Sequence, residues 1–116
     1  MNIKIIKESI TRDELKKIAE EVFGDMVKAV IDTEQGIMAI GGELHADEEV
    51  VLSESEGSKR EFMWGVNLYP DRHGKDFLEF DSMVNIKPSL GNRSRFVQNE
   101  EVRNKIWEVV NKLTKE

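Results

Sequence analysis

From Glu61 to Lys87 the residues alternate in polarity, and the alternation runs through two segments flanking the turn-forming run 70–76. Phe62, Trp64, Val66 and Leu68 share one parity, as do Leu78, Phe80, Val84 and Ile86, with Ser82 as the exception. Gly65, Asn67, Tyr69, Glu79, Asp81, Asn85 and Lys87 take the other. Side chains on a strand alternate between faces, so this pattern predicts a hairpin with one apolar and one polar face. The apolar face needs a cover, which limits the fold to a sheet with helices packed on it.

Two segments supply that cover. Thr11-Arg12-Asp13-Glu14 reads as a capping box opening a helix over 12–23, with Leu15, Ile18, Ala19 and Val22 inward and Gly24 closing it. Ile10 and Leu15 stand where a hydrophobic staple would. Near the other end Asn99 caps a second helix, with Glu100 and Glu101 in its first turn. Val102, Ile106, Val109, Val110 and Leu113 form its apolar stripe and Trp107 widens it.

Short strands are predicted over 2–7, 26–32 and 37–45, the last two joined by a turn at 33–36. Residues 47–56 fit a short helix ending at Gly57 better than an edge strand. The order is β-α-β-β-(α)-β-β-α. It predicts an α+β fold: a two-layer, mostly antiparallel sheet of about five strands with two main helices on one face. The other sheet face is expected to be open. At 116 residues without repeats or a linker, the chain is expected to be a single domain.

Composition excludes several classes of function. Seventeen basic against 23 acidic residues give a net charge of −6, which argues against general binding to nucleic acid or anionic membranes. Without cysteine there is no disulfide or thiolate chemistry. The apolar run at the start is too short for a signal peptide, and nothing approaches the ~20 apolar residues of a membrane span. The expected location is cytoplasmic. No cofactor is expected.

Charge is unevenly placed. Six acids and no Lys or Arg lie between Glu43 and Glu56, whereas the eighteen residues from Ser82 to Asn99 hold no acid but carry Lys87, Arg93 and Arg95. Within that window Gly91 lets the backbone bend, Asn92 and Ser94 offer hydrogen bonds, and two guanidinium groups can grip a phosphate or carboxylate. Gly91–Arg95 is therefore a candidate anion-binding loop, with the alternative that its arginines tether the loop to the protein's own carboxylates. The loop lacks the spacing and Gly-Lys-Ser/Thr ending of a P-loop. Lys87 and the polar-parity residues Asn67, Tyr69 and Asn85 extend the candidate ligand-binding set.

Glu43, His45 and Asp47 have i, i+2, i+4 spacing, which on a strand would aim all three from one face as metal ligands or as an acid–base set. Ile37, Met63, Phe77 and Met83 are apolar residues on the polar parity, and point to self-association through the sheet face. Trp64 and Trp107 read as core. The leading expectation is a binding or interaction module. The alternative is a small metal-assisted hydrolase or ribonuclease-like enzyme using His45 with Arg93 and Arg95.

Three stretches, IMAIGGELHADEE (37–49), WGVNLYP (64–70) and EFDSMVNIKPSLGNRSR (79–95), carry a resemblance. On them the chain resembles a family of small prokaryotic proteins known only as a domain of unknown function. The resemblance covers nearly the whole length. It implies a compact domain and no activity, and no site residue is transferred from it.

Overall fold

A central antiparallel sheet organises the chain, as the alternation predicts. The computed structural model describes residues 2–116. Five strands, β1 (Lys4–Ile6), β3 (Val27–Asp32), β4 (Ile37–Ile40), β5 (Met63–Leu68) and β6 (Leu78–Glu79), lie in the order β1-β4-β3-β5-β6, every pair antiparallel. Three helices complete the α+β fold: α1 (Arg12–Val22), α2 (His45–Glu56) and α3 (Glu100–Leu113). A separate parallel pair joins β2 (Ile10–Thr11) to β7 (Thr114–Lys115). At two residues each, those strands are too short to show periodicity in the sequence.

α1 and α3 cover one face. Met38, Ile40, Ala29, Ile31, Trp64, Val66 and Leu68 meet Leu15, Ala19, Ile106, Val110 and Leu113 there. Trp64 is buried and Trp107 is half-buried against the same core. Val22, expected inward, is exposed because the helix ends beside it: Phe23 is the C-cap, and Gly24, at φ 96°, turns the chain away.

Thr11 Oγ1 accepts the Glu14 amide at 3.1 Å, and Glu14 Oε1 accepts the Thr11 amide at 3.1 Å. This reciprocal pair satisfies two otherwise free donors at the start of α1. Thr11→Ala should lower the unfolding free energy by ~1 kcal/mol in a urea titration. An unchanged midpoint would mean that the β2–β7 pairing alone fixes the helix start.

The opposite sheet face, expected to be open, is covered. α2 lies on it and buries Leu52 against Val30, Ile37, Ala39 and Met63. The strand expected over 37–45 stops at Ile40, and the chain turns at Gly41, whose φ is 92°. A Cβ on Gly41 would lie 2.8 Å from the Asn2 carbonyl oxygen, so the turn needs both the left-handed conformation and the bare Cα. α2 then runs from His45 to Glu56 and closes at Gly57 in the left-handed region. Leu44, within the strand expected over 37–45, is instead the exposed N-cap of α2.

The hairpin is also shorter on its second limb than the alternation implies. β6 ends at Glu79, and the chain leaves the sheet edge to cross over β5. Ser82 lies over Gly65, where a Cβ would come 2.5 Å from Ser82 Oγ and 2.6 Å from Ser82 Cβ. A 3-10 turn, Met83–Asn85, follows. Asp81, Asn85 and Lys87 therefore do not share a strand face with Asn67 and Tyr69.

Candidate functional site

Where β6 would have continued, the side chain of Asn85 takes its place. Asn85 Oδ1 accepts the Gly65 amide at 2.7 Å, while Nδ2 donates to the Gly65 carbonyl and to the Arg95 carbonyl, both at 2.9 Å. One donor and two acceptors on the backbone fix the orientation of the amide. The edge of β5 is thus satisfied by a side chain, and the same group ties down the loop that follows.

Asn92 does the same inside that loop. Its Nδ2 donates to the carbonyls of Asn85, Ser94 and Phe96 at 2.7, 2.9 and 2.9 Å, and its Oδ1 accepts the Gln98 amide at 2.8 Å. Backbone bonds pair Lys87 with Asn92 in both directions, and Gly91 turns the chain between them at φ 79°. The Lys87 ammonium is buried over the Trp64 ring and donates to the Val84 carbonyl at 2.7 Å. Burial pushes its pKa down. Arg103 reaches back from α3 to donate to the carbonyls of Val97 and Gln98.

The candidate ligand-binding residues thus separate into two groups. Asn85, Lys87 and Asn92 face inward and hold the loop. Asn67 Nδ2 and the Tyr69 hydroxyl both donate to Glu79 Oε1, at 2.9 and 3.0 Å, away from that loop. Burial raises the Tyr69 hydroxyl, with the Glu79 hydrogen bond adding to it. Asn67 Oδ1 is buried without a partner among the described residues. Ser94 Oγ accepts the Phe96 amide at 3.0 Å.

The two arginines differ. Arg95 Nε contacts Asp81 Oδ1 at 2.7 Å across a half-exposed ion pair. Arg93 is exposed, its backbone amide donates to Gln98 Oε1, and among the described residues its guanidinium has no ion-pair partner. Leu90 and Phe96, three residues to either side of it in the chain, are also exposed, the latter edge-on to Phe80 at 5.9 Å between ring centroids. Sequence alternation placed Met83 on a sheet face, but the 3-10 turn leaves it 65% exposed.

The sheet-face patch expected from Ile37, Met63, Phe77 and Met83 does not exist as a surface. Ile37 and Met63 pack under α2, Phe77 packs into the core on the other side, and only Met83 reaches solvent.

Glu43, His45 and Asp47 do not line up either. The chain leaves the sheet at Gly41, so Glu43 lies in the connection and the other two start a helix. Among the described residues no three His, Asp or Glu side chains are grouped to hold a metal ion. His45 is buried with Nε2 2.8 Å from the Val66 carbonyl, which it can approach only as a donor. Burial pushes its pKa down to about 4. Asp81 and Arg95 are near enough for their charges to act on it, as is Lys28.

One turn further along α2, Glu48 is fully buried. Its Oε2 accepts the Gly42 amide at 2.9 Å, and its Oε1 has no partner among the described residues. Burial pushes this carboxyl up to about 9, so it is neutral at pH 7. The raised Glu48 favours folding fully below its ordinary 4.5, and this stability is lost as pH rises towards 9. The depressed His45 has the opposite sign: its stability is present above 6.5 and is lost as pH falls towards 4. Between 4.5 and 6.5 the two slopes offset each other. Above that window the Glu48 contribution should fall by up to ~1.4 kcal/mol per pH unit. Glu48→Gln should flatten this alkaline slope and raise the melting temperature at pH 8. An unchanged slope in urea titrations would show that the carboxyl ionises normally.

Among the described residues no helix is long and apolar enough to cross a membrane. Neither the comparison with curated proteins nor that with solved structures returns a match. A family model described as a protein of unknown function matches residues 4–113, nearly the whole chain, and the protein belongs to that family, DUF5674.

Proposed function

We propose that this domain is a binding module whose loop from Lys87 to Phe96 docks an acidic group of a protein partner on Arg93. One observation carries the reading. Asn85, Lys87 and Asn92 are committed to holding the loop, and Arg95 is matched by Asp81, which leaves Arg93 uncommitted on a pre-shaped surface. Because the loop backbone is already fixed, pairing Arg93 with a carboxylate costs side-chain freedom but no ordering of the loop, which favours affinity. Leu90 and Phe96, three residues to either side of Arg93 in the chain, are exposed, matching the aromatic and Arg enrichment of interface centres.

The ribonuclease-like reading draws less support. Its base would be His45, whose Nε2 is committed to Val66, and its two arginines would need to converge on that ring.

The reading is tested by titrating the isotope-labelled domain with a peptide rich in Asp and Glu, with inorganic phosphate alongside. Saturable amide shifts at Gly91–Ser94, abolished by Arg93→Gln at unchanged melting temperature, are expected. Shifts that persist in Arg93→Gln, or none with either probe, would overturn it.

A further inference from the structure

A cavity of about 470 Å³ opens between the start of β5, residues 90–92 of the loop and the first two turns of α3. That volume lies within the ~300–1,000 Å³ of clefts that hold ligands. Phe62, Trp64, Leu90 and Val102 supply its apolar lining. Leu90 is 49% exposed there, so part of the lining is apolar surface left facing water.

The bonds that hold the loop also place Arg93. Its amide donates to Gln98 Oε1 at 3.0 Å, and its chain neighbour Asn92 accepts the Gln98 amide at 2.8 Å. Asn92 and Gln98 both line the cavity, so the Arg93 backbone stands at the rim. Lys105 lines the α3 side and Glu61 the β5 side. Among the described residues Arg93, Lys105 and Glu61 have no ion-pair partner. Two free cations on the loop and α3, against one acid on the other wall, select an occupant that is negative on the α3 side. The lining between them selects an apolar body.

We infer, resting on the binding-module reading, that the acidic group docked at Arg93 belongs to a partner segment that also carries a large apolar side chain, Leu or Phe, next to the acid, and that this side chain enters the cavity. The recognised unit is then a short acidic and apolar motif, with its carboxylate on the loop and α3 side and away from Glu61.

NMR titration of the labelled domain with three peptides of equal length tests this. One carries Asp and Glu spaced by Gly and Ser, the second adds one Leu between the acids, and the third keeps the Leu but has Asn and Gln in place of the acids. The second should bind about tenfold tighter than the first or more, as expected for burying one apolar side chain. It should shift the Val102 amide and the Trp64 indole N–H, which the first leaves in place. Leu90→Asn, at an exposed position, should erase most of that gain at an unchanged melting temperature. Arg93→Gln should weaken the first two peptides alike.

Equal affinity for the first two peptides, no shift at Val102 and Trp64, or a gain untouched by Leu90→Asn would overturn the inference and leave the acidic dock standing. Hexanoate joins the same two chemistries in one small molecule. If it saturated the same amides at the second peptide's affinity, the occupant would not be a protein segment. Full affinity of the third peptide, or silence toward all three, would remove the docking on Arg93 as well.

Discussion

Asn85→Ala should destabilise the domain by about 3 kcal/mol or more. The side chain is fully buried, and its removal leaves three backbone groups without partners: the amide and carbonyl of Gly65 and the carbonyl of Arg95. Each buried group left unsatisfied costs about 1–3 kcal/mol. Small domains have only about 5–15 kcal/mol in total. Asn85→Asp separates hydrogen bonding from packing, because it keeps the shape but replaces a double donor with an acceptor. It should therefore be no more stable than the alanine variant at pH 7. Urea titration of both variants reads the effect. A loss below about 1 kcal/mol in Asn85→Ala would mean that water replaces the amide, and that the loop is not built around it.

Gly65→Ala is expected to cost about 2–3 kcal/mol for a different reason, overpacking. The added methyl would meet Ser82 Oγ and Cβ at 2.5 and 2.6 Å and Val84 Cγ2 at 2.9 Å. Ser82 Cβ is fixed to the backbone, so the strand crossing must move. Ser82→Gly in the same chain removes two of those three atoms and should restore part of the loss. The resulting double-mutant cycle should show coupling, since the residues touch. Strict additivity would place the crossing segment farther from β5 than described above.

The same two residues mark where the sequence was legible and where it was not. Alternation from Phe62 to Leu68 identified β5 because a strand buried on both sides still sorts its side chains by face. It misled beyond Glu79 because Val84 and Ile86 keep the parity while the backbone turns through a 3-10 step. Ser82, the one polar residue on the apolar parity, was the visible sign of that departure, and Gly65 was its counterpart. Capping chemistry located α1 and α3, since a cap is a local interaction. The position of α2 on the second face was not legible, because it follows from a turn at Gly41 and from contacts distant in sequence. The acid-free window did single out the basic loop. Which of its polar residues face inward depends on the carbonyls they meet, and composition carries no information about that.

Amide hydrogen exchange at Gly65 and Gln98 tests most directly whether Asn85 and Asn92 build a rigid platform beneath Arg93. Both amides donate to side-chain oxygens, and neither uses a regular helix or strand partner for that bond. If the two asparagines hold the loop as one unit with the sheet, both amides should exchange only on global opening, as slowly as Val30 in the central strand. Exchange at the rate of an exposed loop would show that the platform opens on its own, and would remove the basis for an uncommitted, pre-positioned Arg93.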